Sequence, residues 1–382
     1  MKQHRLEVAD VIRTHQHDFL ARWSHVLSRE QKQALRALRD CRTAALGGHR
    51  SQCDRCDHRV LLYNSCRNRH CPKCRATARA KWLVERQAEL LPVPYFHVVF
   101  TLPQQIGRLA IQNPRRIYTI LFQAASETLL TIAADPKHLG ASIGFLAVLH
   151  TWGQNLHLHP HLHCVVPGGG LSPDGSRWIT CRKSFFLPVR VLSRLFRKKF
   201  LRSLGTAFRN GNLHFSGELR DLGDPASFRA LCQQAARIEW VVYAKPPFGG
   251  PQRVLKYLAR YTHRVAISNH RLRELASGRV TFDWKDYAHR NRNSTMSLDA
   301  VEFIRRFLLH VLPSGLVRIR QFGFLANRVR KQRLERCRAL LAARQLPPAD
   351  SKDPHLCPIC KLGRLLVVEV LAPESIKIQD TS

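Results

Sequence analysis

Acidic residues are scarce in this chain of 382 residues: 27 Asp plus Glu stand against 62 Lys plus Arg, a formal charge of +35. With no acidic group gathered near the end of a strand, a transposase or nuclease built on three metal-binding carboxylates is excluded. Long apolar runs are also missing. The longest, around Gly144–Leu149, is too short to span a bilayer, and the charged stretch Met1-Lys2-Gln3-His4-Arg5 carries no signal-peptide core. The expectation is a protein without a membrane partner that works in the cytoplasm. No glycine-rich phosphate loop occurs, which removes the main support for an ATP-driven motor or a nicotinamide enzyme. Solenoid repeats and low-complexity tracts are absent as well.

What is abundant is positive charge, on a chain with 45% hydrophobic residues and the length for two or three cored domains. Such an excess points to a polyanionic partner, of which nucleic acid is the commonest. Between Arg305 and Arg344 there are eleven Lys or Arg against the single acid Glu335, and Arg190 to Arg202 carries six against none. The segment up to about residue 48 reads as helical, ended by Gly47-Gly48. Tyr95–Leu102, Ile143–Trp152, His161–Val166 and Ile238–Ala244 read as strands. Arg75–Leu91, Arg115–Ala134, Leu192–Leu204 and Pro251–His263 read as helices, and strand-like pieces run through Val265–Trp284. This irregular alternation, with hairpin-like returns, predicts an α+β fold rather than a doubly wound parallel sheet.

Two groups of residues carry metal chemistry. Cys53-x-x-Cys56 and Cys71-x-x-Cys74 stand at the spacing of a zinc ribbon, in which two knuckles point four thiolates at one structural Zn. Cys66 and His70 lie between them and could replace a cysteine or build a second site. A further knuckle, Cys357-Pro358-Ile359-Cys360, is half of such a site, whose partners could be His355, Cys337 or residues elsewhere. Cys164, Cys181 and Cys232 read as core residues. The second group is His157-Leu158-His159-Pro160-His161-Leu162-His163. In a strand, His161 and His163 share one face while Leu162 and Cys164 pack the other. Two imidazoles so placed can hold a metal with positions open to substrate. Gln154 is the first candidate for a third ligand, with His157 or His159 as alternatives.

A third constellation is Lys256-Tyr257-Leu258-Ala259-Arg260-Tyr261-Thr262-His263-Arg264. On a helix, Tyr257 and Tyr261 would share a face, and Lys256, Arg260 and Arg264 supply cations for a phosphodiester. A phenol can attack phosphorus and hold the strand as a phosphotyrosine, from which it can be rejoined without ATP.

Taken in order, S-C-R-N-R-H-C-P-K-C, H-P-H-L-H-C-V-V-P-G-G-G and K-Y-L-A-R-Y-T-H-R resemble the insertion sequence 91 family of bacterial transposases. These belong to the HUH (His-hydrophobe-His) superfamily, along with relaxases and rolling-circle replication initiators. The resemblance runs from Cys41 to about Ala326. It implies an antiparallel HUH-type sheet with flanking helices and a central His strand, a tyrosine helix laid across it, and a helical plus zinc-ribbon domain in front. It implies His161 and His163 as metal ligands, Mg or Mn as the catalytic ion, and Tyr257 and Tyr261 as nucleophiles. The expected reaction is nicking and rejoining of single-stranded element ends through a 5′-phosphotyrosine, in a bacterial, nucleoid-associated protein. A replication initiator would share the His and Tyr motifs, though the N-terminal zinc ribbon argues against it, and a non-catalytic zinc-ribbon regulator would lack the His pair or the tyrosines. The expected boundaries are 1–91 for the helical and zinc-ribbon domain, 92–290 for the catalytic domain, 291–346 for a basic helical DNA-binding region and 347–382 for the tail.

Overall fold

The computed structural model describes residues 5–74, 82, 85–182, 186–248, 265–286, 292–342 and 355–374. In chain order the main helices are α1 (Val8–Trp23), α2 (Arg29–Asp40), α3 (Pro114–Ala134), α4 (Val189–Arg209), α5 (Pro225–Arg237), α6 (Ala300–Leu308) and α7 (Arg330–Leu340). The strands are β1 (Gly48–Cys53), β2 (Arg59–Tyr63), β3 (Tyr95–Thr101), β4 (Gly144–Trp152), β5 (Leu158–Pro167), β6 (Gly169–Leu171) and β7 (Trp178–Thr180). They continue with β8 (Val242–Phe248), β9 (Leu272–Ala276), β10 (Arg279–Asp286), β11 (Arg292–Asp299), β12 (Ile319–Gly323) and β13 (Leu365–Leu371). Helices and antiparallel sheets mix as the α+β expectation requires. The expected helix Pro251–His263 lies outside the described residues, as does most of Arg75–Leu91.

The chain forms two compact units, and both are discontinuous: 1–81 with 263–311 and 349–382, and 82–262 with 312–348. This differs from the expected linear boundaries. β9–β11 and α6 belong with the N-terminal helices, and the tail belongs there too. Composition marks linkers, whereas these units are closed by pairings between segments hundreds of residues apart.

In the first unit α2 starts where its sequence says it should. Ser28 Oγ accepts from the Gln31 N–H at 3.2 Å and Gln31 Oε1 accepts from the Ser28 N–H at 2.9 Å, a reciprocal cap. At α6, Asp299 accepts from the N–H groups of Val301 and Glu302 at 2.9 and 3.1 Å. The apolar stripes of these helices bury Leu35, Leu38, Phe303 and Phe307, and α6 packs against α1 and against Phe282 of β10. Two three-stranded sheets complete the unit, in the orders β11-β10-β9 and β13-β1-β2.

The second unit is built on a five-stranded sheet in the order β12-β4-β5-β3-β8, with every neighbouring pair antiparallel. The histidine strand β5 lies at its centre. Strand alternation sorts the side chains. Phe96, Val98, Phe100, Phe145, Ala147, Leu149, Leu162, Cys164 and Val166 turn to one face and join a core with Tyr118 and Phe122 of α3 and Phe196 and Phe200 of α4. α3 has the length and apolar composition of a membrane-crossing helix, yet two thirds of that stretch is buried, and it serves as the core helix. The opposite face carries Tyr95, Leu146, Val148 and Val165, covered by Phe324, Leu325, Leu334 and Cys337. That cover leaves out the histidine end. The Gly323 backbone (φ 60°) runs so close to Ile143 that a β-carbon there would collide with its carbonyl, so only glycine lets β12 join β4.

Candidate functional site

Residues 153–157 turn β4 into β5, and the register of that hairpin sets His150 directly opposite His161, with Val148 opposite His163. His150, His161 and His163 therefore converge on one face at the centre of the sheet. Their candidate ligand atoms all lie within 4.8 Å of one another, with ring centroids 4.4 Å apart for His150–His163 and 4.8 Å for His161–His163. Leu162 and Cys164 pack the other face as expected. Gln154 is half-buried in the turn, and His150 on the neighbouring strand completes a set of three imidazoles. His157 also stays in the turn, its N–H bound by Asn155 Oδ1 at 3.2 Å, and His159 is exposed.

Hydrogen bonds orient the rings. His161 Nδ1 donates to the His159 carbonyl at 2.6 Å, which turns Nε2 toward the other two imidazoles as its candidate ligand atom. His163 Nδ1 lies 2.8 Å from Nε2 of His97, a buried residue of β3. For His163 Nε2 to present a lone pair, its Nδ1–H donates to His97. Burial pushes His161 down to about 3, and burial followed by the nearby Lys245 pushes His97 down to about 3. Both rings are thus neutral near pH 7, the form that ligates a metal.

Cations and aromatic rings surround this cluster. Trp152 stacks on His150 with centroids 4.6 Å apart, and the Arg318 guanidinium sits 6.0 Å over Trp152. Tyr243 of β8 meets His97 edge-on at 6.0 Å, and Lys245 Nζ lies 6.0 Å from the Tyr243 ring. Sequence reading had missed His97, His150, Tyr243 and Arg318. The only trace of the first two was a histidine inside an otherwise apolar strand, Y-F-H-V-V-F and A-V-L-H-T-W. Tyr257, Tyr261, Lys256, Arg260 and Arg264 lie outside the described residues.

The cysteines assemble differently from the single ribbon expected. Cys71 and Cys74 are joined by Cys66 and by Cys41, the residue that ends α2. Sγ separations are 3.5 Å for Cys41–Cys74, 3.5 Å for Cys41–Cys71 and 3.6 Å for Cys66–Cys74. A tetrahedral ZnS4 site with Zn–S of about 2.3 Å has edges of about 3.8 Å, so these residues fit a zinc ion. Hydrogen bonds among these thiols favour a thiolate on Cys41 and a thiol on Cys66 and Cys71. Cys53 and Cys56 face Cys357 and Cys360 instead. Cys337, once a candidate partner for that tail knuckle, is buried in the core of the other unit, and Cys164 is likewise a core residue.

Comparison with known proteins identifies the family. The family described as "Transposase zinc-binding domain" matches residues 11–102, and the one described as "Putative transposase" matches residues 144–333. Among curated proteins, "Putative transposase y4qJ" of Sinorhizobium fredii is 53% identical over 379 residues, covering 95% of each chain. The "Transposase for insertion sequence element IS801" of Pseudomonas savastanoi pv. phaseolicola is 27% identical over 350 residues, 89% of this chain and 82% of that one. Among solved structures, the conjugative relaxase TrwC bound to oriT DNA aligns at 14% identity and a TM-score of 0.25, over 44% of this chain and 71% of the other. The chain belongs to the insertion sequence 91 family of transposases.

Proposed function

We propose that this transposase nicks and rejoins single-stranded DNA at element ends, with Tyr257 and Tyr261 as nucleophiles and His150, His161 and His163 as ligands of a divalent ion. The observation that carries the reading is the convergence of three imidazoles on adjacent antiparallel strands. In each cleavage a tyrosine phenol oxygen bonds to the scissile phosphorus, the P–O3′ bond breaks, and the 3′ oxygen leaves as a hydroxyl carrying the proton that the phenol gave up. The 5′ phosphate stays on tyrosine, and attack by a 3′ hydroxyl reverses the step without ATP.

A divalent ion in the imidazole set would neutralise charge developing on the phosphate in the transition state. Three imidazole donors suit Mn better than Mg, because nitrogen donors favour first-row transition ions. Nδ1 contacts to His159 and His97 hold His161 and His163 in the ligating orientation. Lys245, exposed beside Tyr243, is a cation that can meet phosphate oxygens. Binding along the strand would be dominated by the Lys and Arg excess.

The test is incubation with labelled single-stranded oligonucleotides from element ends plus Mn or Mg. A protein–DNA adduct that survives a denaturing gel is expected. Cleavage of single strands that never yields an adduct, at any metal concentration, would overturn the nucleophile assignment.

A further inference from the structure

We propose that Cys53, Cys56, Cys357 and Cys360 bind a second zinc ion, distinct from that of Cys41, Cys66, Cys71 and Cys74, which ties the C-terminal segment onto the N-terminal zinc module. Cys53 Sγ lies 3.7 Å from Cys360 Sγ, and Cys56 Sγ lies 3.7 Å from Cys357 Sγ. These are edges of a ZnS4 tetrahedron, close to the 3.8 Å or so expected, and far beyond the roughly 2.05 Å of a disulfide.

The two knuckles are built alike. In C-D-R-C-D and C-P-I-C-K the residue after the second cysteine takes a left-handed backbone, φ 51° at Asp57 and 57° at Lys361. The first cysteine's N–H donates to a carbonyl further along its own turn, Cys53 to His58 at 2.9 Å and Cys357 to Gly363 at 2.8 Å. Backbone N–H groups also point at sulfur, Arg55 to Cys53 at 3.4 Å and Gly363 to Cys360 at 3.3 Å. Such donors stabilise thiolate charge and fix the ligands around a cation.

Contacts between the knuckles hold them face to face. The Asp54 N–H donates to the Arg364 carbonyl at 3.1 Å, and the Arg364 N–H donates to Asp54 Oδ1 at 2.8 Å. From there β13 runs antiparallel to β1, with Cys53 opposite Leu365 and Gly48 opposite Leu371. Gly363 sits where the knuckles meet, and a β-carbon on it would fall 2.5 Å from Cys53 Sγ. Cys56 and Cys357 are 301 positions apart, so this ion would close a loop around most of the chain. This segment is then a working part of the zinc module, which is completed only once Cys360 has been made.

Zinc content of the purified full-length chain after exhaustive dialysis decides the matter. Two zinc ions per chain are expected, with Cys357→Ser/Cys360→Ser holding one. Gly363→Ala, which keeps all eight thiols, should hold its second zinc more weakly in a chelator titration. Because the serine variant can fail to fold, thiol alkylation mapped by mass spectrometry on the native chain gives an independent reading. Cys53, Cys56, Cys357 and Cys360 should be protected together and released together by chelator. One zinc per chain with Cys357 and Cys360 freely alkylated, or a disulfide linking them, would overturn the proposal.

Discussion

Nε2 of His97 lies 2.8 Å from Nδ1 of His163, with the two ring planes within 9° of parallel. The contact crosses from β3 to β5, adjacent strands of the sheet. One ring nitrogen of His163 is thereby committed to a protein partner, which fixes how the ring is turned. On the proposed function His97 is a positioning residue, acting through His163.

Replacing it should change metal dependence more than DNA binding. Outer partners of metal-binding histidines are worth about 10- to 100-fold in metal affinity. His97→Ala should raise the Mn concentration needed for half-maximal adduct by a factor in that range, with oligonucleotide affinity retained. Gln at this position, which can still accept from Nδ1–H, should recover part of the loss. An unchanged Mn titration would show that the contact has no bearing on the ion.

On the proposed reading the third ligand is His150, a residue the sequence did not single out, and the sequence candidate Gln154 is tested beside it. His150→Ala should abolish nicking while single-strand binding persists, because the ion acts on the transition state more than on the ground state. Gln154→Ala should keep nicking. Measured side by side at saturating DNA, the opposite pattern would return the third position to the β4–β5 turn.

Acid sensitivity follows from the depressed imidazoles. His97 and His161 titrate at about 3 when folded, against an ordinary 6.5. The unfolded chain binds protons first, so their contribution is complete above pH 6.5 and is lost progressively as pH falls toward 3. The metal-free protein should show a falling thermal midpoint between pH 7 and pH 5, before ordinary carboxylates titrate. His97→Gln should flatten that slope. A wild-type midpoint that does not move in this interval would contradict the burial argument.

Salt dependence tests the role of the basic surface. If about six phosphates of a single strand are engaged, log K against log salt should fall with a slope of roughly −4. A slope near zero would mean that the +35 charge is not what holds DNA.

Much of the catalytic sheet was legible because its signals are local. Proline boundaries and β-branched runs marked β3, and alternation placed His161 and Leu162 on opposite faces before any pairing was known. What was hidden depends on register and long-range closure. His150 becomes a neighbour of His161 only when β4 pairs with β5, and nothing in A-V-L-H-T-W announces that partner. The cysteines misled for the same reason. Spacing paired Cys53-x-x-Cys56 with the nearest knuckle, whereas β1 pairs with β13 and brings Cys357-x-x-Cys360 to it. Cys41 carried no C-x-x-C signature at all, since it reaches its cluster from the end of α2.

The central claim, covalent chemistry by Tyr257 and Tyr261, is tested most directly by the double variant Tyr257→Phe/Tyr261→Phe. Phe keeps the aromatic ring and removes only the nucleophilic oxygen. With Mn and single-stranded element ends, each single variant should retain some nicking, or one should nick normally and fail in complete strand transfer. The double variant should bind DNA and form no denaturation-resistant adduct. An adduct of undiminished yield from the double variant would contradict the account and assign the nucleophile to another residue.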